Sequence, residues 1–276
     1  MHRNLITAIV LTKDEEKILD RCLSALHFVQ QVIVFDSFST DKTLSIAKSH
    51  GAIIHQRKFD NYARQRNAAL DIVPSDCEWV LMVDADEIVT DELRHEILNR
   101  IEVDSENTMF RVRRKDVFQN KWLRHSSGYP TWFPRLFKNG HVRVERAINE
   151  EYVTSGSEGR LNEHLLHYPF NKGITWWIEK HNRYSQMEAK LMVKEIGEPL
   201  KLWGLFSKDP VVRRKQQKRL SYHLPFRPQF VFFAFYVLKG GFLDGKAGYH
   251  FCRMREMYEQ MISLKYDELK RNNANS

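Results

Sequence analysis

A chain of 276 residues with 42% hydrophobic and 28% charged side chains has the composition of a globular protein, which excludes a disordered or fibrous architecture. Its length suits one large α/β core with an appended segment better than two independent catalytic domains. The formal charge of +8 and pI near 9.3 favour an acidic partner, whether nucleic acid, an anionic membrane face or a phosphorylated substrate.

Over the first hundred residues, short runs of branched apolar residues alternate with stretches of helical periodicity, the pattern of a parallel sheet with crossover helices. Strands are expected at Leu5–Leu11, Gln31–Asp36, Ala52–Gln56 and Glu78–Val83, and helices near Asp14–Leu26, Asp41–Ser49, Asn61–Ile72 and Asp91–Ile101. The first apolar run is short, closes on charge and lacks a cleavage pattern, so it reads as a strand rather than a signal peptide. From Thr108 to about His167 the extended segments TMFRVRRKDVF, WFPRLFK and HVRVE, broken by Gly128, Pro130, Pro134 and Gly140, predict a mixed or antiparallel part of the same sheet with binding loops. A long amphipathic helix follows over about Gly173–Ile196.

The last part differs. A basic stretch between Lys208 and Arg227 runs into PQFVFFAFYVLKGGFL, whose uncharged run Pro228–Leu238 is shorter than the ~20 residues a bilayer span needs. It reads either as a cationic helix packed on the core or as an interfacial membrane anchor. The expected division is a catalytic domain over 1–200 and a basic, amphipathic helical extension over 201–276. Cys22, Cys77 and Cys252 lack the paired spacing of a zinc or redox site and read as buried thiols in a reducing, cytoplasmic compartment. His164 and His167 lack a third ligand in sequence and read as structural histidines.

Ligands of a parallel α/β sheet gather beyond the carboxyl ends of its strands. Polar residues recur there: Thr12 after the first strand, Asp36 closing the second, and Asp84 and Asp86 after the fourth, in VLMVDADEIV. Carboxylates at i and i+2 beyond a buried strand can share one Mg²⁺ or Mn²⁺ ion, and such an ion bridges the phosphates of a nucleotide diphosphate.

These residues resemble the family-two inverting glycosyltransferases of GT-A fold, a Rossmann-like mixed α/β sheet with flanking helices. LTKDEEKILDRCLSAL is similar to their opening strand and helix, VFDSFSTDKTLSIAKSHGA to the nucleoside-binding strand and helix, and VDADE to the metal motif. ARQRNAAL, YPTWFPRLFKNG and AINEEY are similar to the basic, acceptor-side and catalytic-base segments. HYPFNKGITWWIEKHNRYSQMEA and LKGGFLDGKAGYHF are similar to the bacterial lipopolysaccharide-core and envelope-polysaccharide branch, so the likeness covers nearly the whole chain.

The resemblance implies that Thr12, Glu15 and Asp36 hold the nucleoside, Arg66 contacts the base or diphosphate, Asp84 faces ribose and metal, and Asp86 ligates Mn²⁺ or Mg²⁺. Tyr129, Trp132 and Arg135 fall on the acceptor side, and Trp176 and Trp177 are further candidates for stacking on sugar rings. Glu150 becomes the catalytic base, with Glu151 open as an alternative because Asn149 stands where the family has a His. Ser37 and Phe38 replace the usual acid and glycine after the first Asp.

The function implied is metal-assisted, inverting transfer from a nucleotide sugar, a UDP-sugar, to a lipid-linked or lipopolysaccharide-core acceptor. The expected place is the cytoplasmic face of the inner membrane, peripherally on its anionic surface, with no nucleic acid as partner. Two other classes compete: a sugar-phosphate nucleotidyltransferase, which needs a glycine-rich loop that LTKDEE lacks, and a nucleic-acid-binding module suggested by charge and RVRRK.

Overall fold

The computed structural model describes residues 6–104, 106–145, 151–197, 200, 202–207 and 210–274. They form two compact units, one comprising residues up to 117 together with 129–171, the other 118–128 together with 172 onward.

In the first unit the strands are β1 (Ile6–Thr12), β2 (Gln31–Asp36), β3 (Ile53–Gln56), β4 (Trp79–Asp84), β5 (Glu87–Val89) and β6 (Asn107–Phe118, ending at the border with the second unit). A two-residue strand, β7 (Lys121–Trp122), belongs to the second unit, and β8 (Trp132–Lys138), β9 (Val142–Glu145), β10 (Glu151–Thr154) and β11 (Ser157–His167) complete the first. The main sheet runs β3-β2-β1-β4-β8-β6-β11-β5, and β9 pairs with β10 apart from it. The first four strands are parallel, β8 is antiparallel to β4 and β6, and β11 lies parallel to β6.

The central strands are buried on both faces, which is why they read as continuous apolar runs. Side chains alternate along them with a period of two. Ala8, Val10, Leu81 and Val83 join Leu19 and Leu23 of α1 (Leu19–Ser24) and Ala47 of α2 (Thr43–Ser49) in one cluster. Ile9, Val80 and Met82 join Ala63 and Ala69 of α3 (Tyr62–Asp71) in the other. The first cluster continues through Leu93, Ile97 and Ile101 of α4 (Asp91–Val103), whose start is capped by Thr90 Oγ1 accepting from the Leu93 amide.

The first helix is far shorter than the periodicity of 14–26 predicts. Asp14 has φ 55°, and the amides of Asp14, Glu15 and Glu16 donate to side chains of the loop after β2: Ser39 Oγ, Thr43 Oγ1 and Asp41 Oδ2. In return Asp14 Oδ1 and Glu16 Oε2 accept from the Thr40 and Lys42 amides. The two loops at the carboxyl edge are thus locked together by reciprocal hydrogen bonds, and the left-handed backbone of Asp14 keeps that residue out of a helix.

The second unit contains α5 (Ile174–Ile196), a 3₁₀ turn at Leu202–Phe206, α6 (Pro210–Ser221), α7 (Arg227–Phe233), a π-helical turn at Ala234–Leu238, a 3₁₀ turn at Gly241–Asp244 and α8 (Gly245–Ala274). The second unit takes in α5, which packs on α8 within it. Asp244, 2% exposed, accepts from the amides of Arg124, His125 and Ser126 and from Ser126 Oγ, which binds the 118–128 segment into this unit. Trp177 is buried there, its ring stacked on His181, so it is core rather than a platform for sugar. All three cysteines are buried and free. Among the described residues no helix is long and apolar enough to cross a membrane.

Candidate active site

Thr12 pairs with Asp36 and Leu11 with Asp84 in the sheet register, so the ends of β2 and β4 flank that of β1 on one rim. Asp36 is fully buried, and its carboxylate accepts from Thr12 Oγ1 (2.9 Å), the Ser39 amide (2.8 Å), Ser39 Oγ (2.5 Å) and Gln56 Nε2 (3.0 Å). Both oxygens are therefore committed to shaping the loop after β2. Ser37, next in sequence, is half-buried and accepts from Gln65 Nε2. Glu15 stands on the facing loop, its Oε2 accepting from Asn171 Nδ2 at 3.0 Å.

Asp84 is held between two guanidinium groups. Arg66 Nη2, from α3, donates to Oδ1 at 2.9 Å, and Arg135 Nη2, from β8, donates to Oδ2 at 2.8 Å. Burial works against ionisation of Asp84, but the charges of Arg66 and Arg135 outweigh it and hold the carboxyl well below the usual carboxylate range. Arg135 also donates through Nε and Nη2 to both oxygens of the fully buried Glu87 at 2.8 and 2.7 Å. Opposite Phe110 and Arg111, the β8 partner jumps from Leu136 to Pro134, leaving Arg135 as the extra residue of a β-bulge. Such a bulge re-aims one side chain, here toward the end of β4.

Asp86, two residues on, belongs to a different pairing. Its Oδ2 lies 3.4 Å from His167 Nε2, and His167 Nδ1 lies 2.7 Å from Asp116 Oδ1. Burial opposes charge on the imidazole, yet Asp86 and Asp116 raise its pKa to about 9; His167 in turn holds Asp86 below its ordinary value against the effect of burial. Arg114 reaches both Glu87 and Asp116, so Arg66, Asp84, Arg135, Glu87, Arg114, Asp116, His167 and Asp86 form one unbroken chain of ion pairs. No group of three or more acidic, His or Cys side chains among the described residues converges as a cation cage. Asp86 and His167 stand side by side, with about a quarter of the Asp86 side chain open to solvent.

The Glycosyl transferase family 2 model matches residues 7–155, the stretch that carries this rim. The chain belongs to glycosyl transferase family 2. A Rickettsia prowazekii protein named as an uncharacterized glycosyltransferase is 36% identical over 212 residues, covering 69% of this chain and 68% of its own. The lipopolysaccharide core biosynthesis glycosyltransferase LpsC of Rhizobium meliloti is 25% identical over 215 residues, 75% of this chain and 78% of that one. Among solved structures, mannosyltransferase PcManGT from Pyrobaculum calidifontis, in complex with GDP-Man and Mn²⁺, superposes with a TM-score of 0.51 at 14% identity over 96% of this chain and 88% of that one. Glucosyl-3-phosphoglycerate synthase from Mycobacterium tuberculosis shares 17% identity at a TM-score of 0.35 over 42% of this chain, which spans 45% of that one. The fold of this glycosyltransferase is GT-A.

Of the residues expected on the transferase's rim, Thr12, Glu15, Asp36, Arg66, Asp84, Asp86 and Arg135 all lie at the carboxyl edge. Arg135 is 2% exposed and anchors Asp84 and Glu87 rather than lining an open acceptor face. Trp132 and Tyr129 belong to a neighbouring row across β8, β6 and β11: Arg113 and Arg160 lie 5.3 and 5.1 Å from the Trp132 ring, and Tyr129 Oη meets His164 Nε2 at 2.6 Å. Glu150 lies outside the described residues, while Glu151 opens β10 and is exposed. The β9–β10 pair is tied to α3 by Asn67, whose side chain both donates to the Val144 carbonyl and accepts from its amide. Sequence reasoning reads His167 as a structural histidine and gives no role to Glu87, Arg114 or Asn67.

Proposed function

We propose that this glycosyltransferase moves a sugar from a nucleotide sugar, a UDP-sugar, to a lipid-linked oligosaccharide or lipopolysaccharide-core acceptor by direct displacement with inversion. The observation that carries the reading is the end of β4: an ionised Asp84 clamped by two arginines, with Asp86 beside His167. The name of LpsC supports the acceptor class, and the GDP-Man and Mn²⁺ bound by PcManGT support a nucleotide-sugar donor and a divalent ion. The acceptor class sets the workplace, the anionic cytoplasmic face of the inner membrane.

The donor set fits Mn²⁺ or Mg²⁺. Asp86 offers a carboxylate oxygen and His167 an imidazole nitrogen once the ion displaces its Nε2 proton, while Asp116 steadies the second ring nitrogen, the usual outer-layer partner of a metal-binding histidine. When bound, the ion offsets negative charge on the departing diphosphate. Asp84, kept anionic and oriented by Arg66 and Arg135, accepts hydrogen bonds from the donor's ribose hydroxyls. Glu15 and the loop shaped by Asp36 border the nucleoside. Glu150 takes the proton of the acceptor hydroxyl as its oxygen bonds to the anomeric carbon, and the bond to the diphosphate breaks with the electron pair leaving on phosphate oxygen.

General-base catalysis is worth about 10²–10⁴-fold, so Glu150→Gln should lower turnover by that factor and leave donor affinity unchanged. Glu151→Gln should stay near the wild-type rate. Proton NMR of the product should show the anomeric configuration opposite to that of the donor. A near-normal rate for Glu150→Gln removes Glu150 from the role, and a retained configuration removes the single-displacement scheme.

A further inference from the structure

The second unit contains a helix with an exposed aromatic face. Along α7 and the π-helical turn after it, Phe226, Phe230, Phe233 and Val237 recur at intervals of four, three and four residues, which puts them on one face. All four are exposed, Phe226 at 78%, whereas the buried residues at the start of this helix are Arg227 and Pro228. Arg227 forms a buried ion pair with Glu259 of α8. The 3₁₀ turn at Leu202–Phe206 adds Trp203 at 91% and Phe206 at 84% exposure, and Phe242 and Leu243 are exposed too. Scattered exposed apolar residues need no explanation, but a periodic aromatic stripe in one stretch of chain marks a surface that meets something apolar.

Charge identifies what it meets. Residues 201–250 contain ten Lys and Arg against two Asp, a formal +8, and this equals the excess of the whole chain, so everything outside the stretch is neutral in sum. Lys218 and Arg227 are paired with Glu188 and Glu259, while Arg213 and Lys246 have no acidic partner among the described ion pairs. A cationic segment studded with exposed aromatics matches an interface of anionic headgroups over acyl chains. A second copy of the chain would bring the same positive charge against itself. The thirteen residues from Phe226 to Leu238 are too few to span a bilayer, which takes about 20, and are long enough to lie along its surface.

We propose that this unit docks on an anionic lipid bilayer by inserting the exposed stripe of Phe226, Phe230, Phe233 and Val237, helped by the exposed Trp203 and Phe206. The inference rests on the transferase reading for its purpose, delivery of a lipid-borne acceptor, and not for the binding itself.

The test uses the full chain with vesicles of phosphatidylcholine alone or mixed with phosphatidylglycerol, followed by sedimentation and tryptophan emission. Wild-type protein should pellet with the anionic vesicles, less so at high salt, and its emission should shift to the blue; Trp203→Phe should remove most of that shift. Phe226→Ser with Phe230→Ser should weaken partitioning about tenfold or more while the melting temperature holds, because both rings are exposed. Wild-type protein left in the supernatant, or unchanged binding by the double variant, overturns the proposal. So does a dimer seen by sedimentation velocity that the double variant abolishes while neither protein binds vesicles. Nucleotide-sugar binding without vesicles is measured in parallel: if it persists while vesicle binding fails, only the docking falls, and in the reverse case only the donor reading falls.

Discussion

Replacing Arg135 with methionine keeps most of the volume of the side chain and removes its charge. Three charge-assisted hydrogen bonds disappear, two to Glu87 and one to Asp84, all between 2.7 and 2.8 Å. Glu87 has no exposed surface and would keep only the Asp84 amide at 3.1 Å and Arg114 at 3.5 Å. Removing one member of such a buried pair costs about 3–5 kcal/mol, since the remaining charge stays out of water. At roughly 2–4 °C of melting temperature per kcal/mol for a chain of this size class, the first unit should melt about 6–20 °C lower. Thermal denaturation followed by circular dichroism reads this directly. Arg135→Met combined with Glu87→Gln should recover much of the loss, because no uncompensated carboxylate remains. A single variant within about 1 kcal/mol of wild type, or a double variant no better than the single, would refute the idea that the ion-pair chain organises the end of β4.

Asp36→Asn should also act through structure: one oxygen becomes an NH₂ facing the donors Thr12, Ser39 and Gln56, and about 1–3 kcal/mol is expected from the mismatched buried bonds, read by chemical denaturation. In the second unit, burial, with Lys180 and Arg255 adding to it, lowers the pKa of His181 to about 4, below the ordinary 6.5. An imidazole depressed on folding contributes stability that is complete above about pH 6.5 and is lost as pH falls toward 4, so the melting temperature should drop across that window. NMR titration of the ring should show a midpoint near 4, and His181→Phe should flatten this part of the profile. A ring titrating near 6.5 would contradict the packing of His181 against Trp177 and Tyr258.

The parallel half of the sheet is legible because its strands are apolar on both faces and punctuated by polar ends; Gln31–Asp36 falls on its predicted bounds and Trp79–Asp84 within one residue. What sequence order hides are the contacts set by distant pairing. His167 meets Asp116 through the β6–β11 register, 51 residues apart, and the β5–β11 pairing, which sets His167 opposite Glu87, brings it to Asp86. The bulge that aims Arg135 has no local signature in WFPRLFK beyond its proline. The first helix shows the opposite failure, a periodic pattern whose opening turn is taken over by side chains of the next loop. In the C-terminal part the composition pointed to an interface, while the fact that α7 turns its aromatic side outward required coordinates.

The central claim is that the end of β4 takes a nucleotide diphosphate together with a divalent ion held by Asp86 and His167. Isothermal titration of UDP- and GDP-sugars with Mn²⁺ or with EDTA, on wild-type protein and on Asp86→Asn, tests it most directly. Binding of one donor that needs Mn²⁺ and weakens at least about tenfold in Asp86→Asn is the expected result, since a charged ligand to the ion is lost. Donor binding that is the same in EDTA and in Asp86→Asn, or no binding of any nucleotide sugar by the wild type, would contradict it.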